Sequence, residues 1–247
     1  MNAAAELHRA YVLHSRSYRE TSLIVDFLVP DVGRLSAVVK GARRAKSPQR
    51  SLLQPFYPLL VSWQGKGELK SLRVLESNGN LQRLQGKALF SALYLNELLV
   101  RLLKAGESCE TLFEHYQQAI ATLATMGPDE PIEAVLRCFE MRLLETLGYS
   151  LSFPQPADAA FYYLSGDNEW LPLPGMPDSQ QQPRSFKALE LSAIAGDDYQ
   201  IPEVRRAAKR LMRLLLTPLL GNRPLKSKEL FRQATLVPVQ PIPEKNN

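Results

Sequence analysis

Over the first 80 residues the hydrophobic positions repeat with the short period of β-strands. "RAYVLHS" (9–15), "SLIVDFLV" (22–29), "GRLSAVVKG" (33–41), "PLLVSW" (58–63) and "LKSLRVLES" (69–77) are short and either β-branched or alternating. Turn chemistry separates them. "PDVG" (30–33) has proline first and glycine last, and "QGKGE" (64–68) is a second glycine-bearing turn. Five short antiparallel strands with one long connection after the third predict a small barrel of the OB type. An SH3-like barrel fits the same pattern.

After "SNGN" (77–80) the period lengthens to that of a helix. "GKALFSALYLNELLVRLLKAG" (86–106) is apolar enough to be buried on most sides, with Gly106 placed as its stop. Two more helices are predicted over 109–127 and 128–149, closed by Gly127 and Gly148; the second opens with acidic residues and Pro131. Residues 152–184 break the pattern with Pro154, Pro156, Pro172, Pro174, Pro177 and Pro183, and within them 160–173 reads as a β-hairpin around "SGDN". Helices resume at 185–195, 201–221 and 227–233, and the proline-rich end reads as a disordered tail. The expected class is α+β: an OB-type barrel over 1–80, then a mainly helical domain over 81–233 with a hairpin insertion at about 152–184, then a tail over 234–247.

Charge sharpens this outline because it is segregated. The 247 residues carry a net charge of +5, but residues 1–75 hold +7 and residues 205–232 hold +8, leaving −10 for the rest. Two basic regions around an acidic middle point to an anionic partner bound at particular places. In the first region Arg34, Lys40, Arg43, Arg44, Lys46 and Arg50 form a run with no acidic residue, in the connection where OB folds accommodate nucleic acid. Two readings are open for this run, a solvated loop and a phosphate grip. In the second region Arg205, Arg206, Lys209, Arg210 and Arg213 fall within an arc of about 140° on one helix, opposite an apolar face. Five like charges on one stripe repel, so a phosphate-contacting face explains them better than stability does. Lys226 and Lys228, with Arg223 and Arg232, extend the patch.

Signals for chemistry are weak. His8, His14 and His115 are scattered, no phosphate-cradling GxxxxGK[ST] is present, and Asp197–Asp198 read as a helix-entry turn. Cys109 and Cys138 lie in helical segments without a CxxC, as reduced thiols would. No enzyme, no cofactor and no metal are expected. No stretch reaches the roughly 18 apolar residues of a membrane span, and no export leader is recognisable, so a cytoplasmic protein is expected. Phe56, Tyr57 and Trp63 could stack on bases, but barrel core is the better reading for each.

Residues 10–44, 53–76, 93–103, 137–149 and 206–233, in that order and over nearly the whole chain, resemble the RecO family of bacterial recombination mediators. The resemblance implies an N-terminal OB fold and a C-terminal helical domain. It implies binding of single- and double-stranded DNA and annealing of complementary strands. It also implies action with RecR to load RecA onto single strands coated by single-stranded DNA-binding protein. Some members carry a four-cysteine zinc element; residues 153–175 contain no cysteine, so the chain is similar to the metal-free members. The family also docks the acidic, apolar C-terminal tail of the single-strand-binding protein on its helical domain. Arg137 beside Leu136 is the first choice for the cation meeting that tail, with Lys187 the weaker one; Arg137 could equally pair with Glu133 or Glu140. The alternative function is a protein-interaction adaptor with incidental DNA contact. Charge reversal at Arg43 and Arg44 separates the two, because only a mediator loses annealing.

Overall fold

The period-two segments form five strands, β1 (His8–Tyr18), β2 (Ser22–Val29), β3 (Gly33–Val39), β4 (Leu59–Gln64) and β5 (Leu69–Ser77). They close into a barrel in the order β1-β2-β3-β5-β4, antiparallel except for the parallel β3–β5 pair. That closure is the OB arrangement, and it removes the SH3-like alternative. The computed structural model describes residues 6–127, 130–155 and 159–230.

β2 is buried along almost its whole length because both of its faces are covered. Val25, Phe27 and Val29 fill the barrel with Val12, Ala37 and Val61. Leu28, on the opposite face, joins Tyr11, Leu13 and Phe56 in a second core made mostly by the helical domain. An irregularity between Val12 and His14 in the β1–β2 register lets Leu13 face that core as well.

The helical domain is built from α2 (Gly86–Leu102), α3 (Glu110–Thr125), α4 (Ile132–Thr146), α5 (Ala188–Ala195) and α6 (Pro202–Leu220), preceded by a short α1 (Gln49–Leu52) in the connection after β3. α4 ends as its glycine predicts. Gly148, at φ +84°, bonds back to Glu145, and Tyr149 bonds to Leu144, the paired bonds of a Schellman stop. Three expectations change. α1 lies in a stretch read as loop. The helix expected over 86–106 stops at Leu102, because residues 104–109 turn to meet the barrel: Gly106 N–H bonds to Val32 and Cys109 N–H to Pro30. The expected helix over 185–195 begins at Ala188, since Ser185–Lys187 form a strand, β8, beside β6 (Phe161–Leu164). With β7 (Trp170–Leu173) the expected hairpin becomes a three-stranded sheet in the order β7-β6-β8. Phe186 on β8 and Trp170 on β7 meet edge to face beneath it, which is why this short strand holds its place.

The two domains pack directly against each other. Gly33, at φ +68°, lies so close to the 104–107 segment that a Cβ would approach Glu107 O to 2.6 Å and Lys104 O to 2.9 Å. Asn96 of α2 donates to the carbonyls of Val12 and Leu13 and accepts from Tyr116. Residues 226–230 are helical, and both the rest of the helix expected over 227–233 and the tail 234–247 lie outside the described residues. No helix among the described residues is long and apolar enough to cross a membrane.

Candidate nucleic-acid interface

The cations of the run after β3 are all exposed, and one of them is also tied down. Arg43 donates from Nη1 to the carbonyls of Arg19 (3.0 Å) and Glu20 (3.2 Å), while its N–H bonds to Thr21. It therefore fastens the run to the β1–β2 turn. Lys40, Arg44, Lys46 and Arg50 are exposed around it. Arg50 also lines, with Ser15, Leu23, Ser47 and Leu53, an open hollow of about 600 Å³ between the β1–β2 hairpin and α1. Arg34, the first cation of the expected run, lies on β3 and not in the connection, and it points elsewhere: half-buried, it donates to Val100 O (2.9 Å) at the end of α2.

The stripe on α6 divides in the same way. Val204, Ala207, Ala208, Leu211, Met212, Leu215 and Leu216 are buried. At about 1.5–3 kcal/mol for each large side chain, they outweigh the few tenths of a kcal/mol each pair of like charges costs. Arg206, Lys209 and Arg213 are exposed, with Arg206 paired to Glu203. Arg205 instead donates to the carbonyls of Tyr199 and Gln200, both at 2.7 Å. Arg210 donates to Ser185 O (2.7 Å) and lies over the Phe186 ring. Arg34 and Arg210 therefore serve backbone carbonyls where chain crosses chain, and Arg205 serves those of the turn that leads into its own helix.

Two residues of α2 that sequence reasoning passed over organise the second basic region. Glu97 accepts from the N–H groups of Lys226 and Ser227, both at 2.9 Å, and from the Ser227 hydroxyl at 2.7 Å. Arg101 donates to the carbonyls of Leu220 (2.6 Å), Arg223 (2.7 Å) and Pro224 (3.4 Å). The end of α6 and the start of the helix at 226 are thereby pinned to α2, with Arg223, Lys226 and Lys228 exposed. Burial works to raise the Glu97 carboxyl, but the hydrogen bonds from Ser227 and Lys226 outweigh it and hold the group below its ordinary range. The partners are 119 to 130 residues apart, and only the Glu97–Arg101 spacing of four was legible in advance.

Of the residues expected to meet a partner peptide, Lys187 is exposed and Leu136 is buried. Arg137 is buried with Glu140 at 2.9 Å, one of the two pairings left open for it. Burial raises the Glu140 carboxyl against the opposing effects of Arg137, the Tyr94 hydroxyl and Lys209. Beside them a groove of about 370 Å³ opens between α3 and α4, lined by Ala119, Val135, Cys138, Phe139, Arg142 and Tyr199 among others. Of the aromatics, Phe56 is buried in the core between the domains, and Tyr57 and Trp63 pack against the barrel core.

Among the described residues no group of histidine, cysteine, aspartate and glutamate side chains is arranged to hold a metal ion. The family model "Recombination protein O N terminal" matches residues 3–80, and "Recombination protein O C terminal" matches residues 83–165. Among curated proteins, the DNA repair protein RecO of Cellvibrio japonicus is 46% identical over 234 residues, covering 92% of this chain and 96% of that one. RecO of Pseudomonas aeruginosa is 47% identical over 228 residues (92% and 95%), and that of Stutzerimonas stutzeri 47% over 234 (92% and 94%).

Proposed function

The chain belongs to the RecO family of DNA repair proteins, and on that premise we propose that it is a DNA-binding recombination mediator without turnover chemistry. It binds single and double strands and anneals complementary strands. With RecR it helps load RecA onto single-stranded DNA coated by single-strand-binding protein, in the cytoplasm and on the nucleoid. The observation that carries this reading is a pair of exposed cationic surfaces on one body. Lys40, Arg44, Lys46 and Arg50 lie beside the barrel, and Arg206, Lys209, Arg213, Lys226 and Lys228 on the helical domain. Each can neutralise phosphates and release counterions, which lowers the repulsion that slows the pairing of two strands. Arg43 holds the loop in place, while Arg34, Arg205 and Arg210 support the surfaces from behind.

The groove between α3 and α4 suits the acidic, apolar tail of a single-strand-binding protein: apolar walls take the side chains, and Arg142, which pairs with Glu145 and Asp197 at the groove, exchanges one of them for the tail carboxylate.

The reading is tested by measuring single-strand affinity across a salt series. Affinity is expected to fall steeply with salt, and Lys40→Glu with Arg44→Glu and Lys46→Glu is expected to reduce the log–log slope by about 2 and to abolish annealing. An affinity indifferent to salt in the wild-type protein would overturn it. In the same series a labelled tail peptide is expected to bind saturably and to be weakened by Arg142→Ala.

A further inference from the structure

Among the side chains that line the groove between α3 and α4, only Arg142 and Asp197 carry a permanent charge. Arg142 lies near the end of α4, and Asp197 in the turn between α5 and α6. Both ends of the guanidinium are already taken. Nη1 donates to Glu145 (2.7 Å) and Nη2 to Asp197. One cation thus faces two carboxylates, and an acidic ligand meets a site whose net charge is negative.

The two carboxylates are not equivalent. Glu145 lies three residues along the same helix, where such a pair forms readily on an exposed face, and it is not part of the groove wall. Asp197 comes from a different element, 55 residues away in sequence, and lines the groove. Its backbone is fixed. The Asp197 N–H bonds to Ile194 O (3.1 Å), the Asp198 N–H bonds to Ala193 O (2.9 Å), and Arg205 holds the carbonyls of Tyr199 and Gln200 from α6. Residue 197 is left-handed, at φ +53°, a conformation that aspartate and asparagine tolerate better than most residues. The carboxylate can therefore leave Arg142 by rotation of its own side chain, and other donors are at hand. The Tyr199 hydroxyl stands 3.4 Å from Asp197 Oδ1. Burial, and after it the Asp197 charge, pushes the Cys138 thiol up to about 11, so it stays protonated beside the carboxylate.

We propose that Asp197 is a resident competitor for the partner's carboxylate: it occupies on Arg142 the place that the tail takes, and so sets how tightly the groove holds an acidic, apolar peptide. The inference rests on the reading of this groove as the seat of such a tail, and it assigns the exchange to Asp197 and not to Glu145. Binding then swaps one carboxylate for another instead of adding an ion pair. The apolar walls carry most of the affinity, and the released Asp197 stays close enough to repel the tail's acidic side chains. A groove built this way releases its partner readily.

Fluorescence anisotropy with the labelled tail peptide, its terminal carboxylate free or amidated, tests it. Asp197→Asn keeps the left-handed turn and removes the charge. It is expected to tighten binding of the free-carboxylate peptide by on the order of tenfold, with a smaller gain for the amide. The gain should exceed that of Glu145→Gln, and most of it should vanish in the Arg142→Ala background. Repulsion through space, without competition, instead tightens both peptides alike and does so with or without Arg142. That result, or a larger gain in Glu145→Gln, overturns the proposal. Weaker binding in Asp197→Asn overturns it too, by making Asp197 a support for Arg142. Asp197→Gly, which also suits the turn, repeats the measurement if circular dichroism shows the asparagine variant to be unfolded. Absence of saturable binding to the wild-type protein and to Asp197→Asn alike sinks the reading of the groove itself.

Discussion

Arg137 and Glu140 illustrate how a buried ion pair can matter for stability without adding much of it. Removing both charges from water costs about what their attraction returns, whereas leaving one alone in the interior costs about 3–5 kcal/mol. Glu140 is fully buried and its second oxygen has no partner among the described residues, so Arg137 is its main compensation. Arg137→Met is expected to lower the melting temperature by on the order of 10 °C, and Arg137→Met with Glu140→Met to recover most of the loss. Additive losses in a double-mutant cycle would show the pair to be uncoupled. The same substitution bears on the groove proposed for the tail. If Arg137 meets the peptide carboxylate, the stable double variant should still bind the labelled tail more weakly than the wild-type protein. At this scale the sequence was legible only in part. The cationic runs were visible, but not which guanidinium would meet a carbonyl. Arg34, Arg205 and Arg210 look the same in sequence as their exposed neighbours; the partners of Arg34 and Arg210 are set by how distant backbone segments cross, and those of Arg205 by the turn into α6.

Elements were far more legible, because their signals are local. The five strands fall where alternation and turn residues placed them, and α3, α4 and α6 follow their apolar stripes. The short pieces α1 and β8 were missed. Four residues carry no periodicity, and a three-residue strand is specified by its neighbour β6 and not by its own sequence. The tether on α2 is the element-scale feature with the clearest consequence. Glu97→Ala removes three acceptor contacts and frees the start of the helix at 226, so Arg223, Lys226 and Lys228 lose their fixed presentation. Single-strand affinity should fall about as far as in Lys226→Ala with Lys228→Ala, and combining all three should add little. The pH dependence has a definite sign. A carboxyl held below its ordinary value contributes stability that is present above that value and lost as pH falls through the lowered one. The tether should therefore persist through mildly acid conditions and release only in strong acid, with the Glu97→Ala variant lacking that step. Hydrogen exchange at 220–230 reads this directly, and full wild-type protection in Glu97→Ala would dismiss the tether.

At the scale of the whole molecule, the family models divide the chain between residues 80 and 83, yet the cores do not divide there. Tyr11, Leu13, Leu28 and Phe56 belong to the barrel segment and are buried in the helical core. At about 1.5–3 kcal/mol each they account for roughly 6–12 kcal/mol, similar to the whole stability of an ordinary domain. Separating barrel from helices would forfeit that burial, together with the Asn96 bonds to Val12 and Leu13 and the close seat of Gly33 on the 104–107 segment. The two should therefore unfold together, and the two basic surfaces should keep a fixed relation on one rigid frame. The chain carries its own reporters, since its two tryptophans lie on opposite sides of the junction, Trp63 on β4 and Trp170 on β7. In Trp170→Phe only the barrel is read by tryptophan fluorescence, and in Trp63→Phe only the helical domain. Each variant has its own stability, so the comparison is made against circular dichroism within each protein. Fluorescence and circular dichroism midpoints in a denaturant series are expected to coincide in both variants. If the Trp63 signal persisted after most helical signal had gone, the barrel would be an independent domain, and the fixed spacing of the two basic surfaces would have to be abandoned.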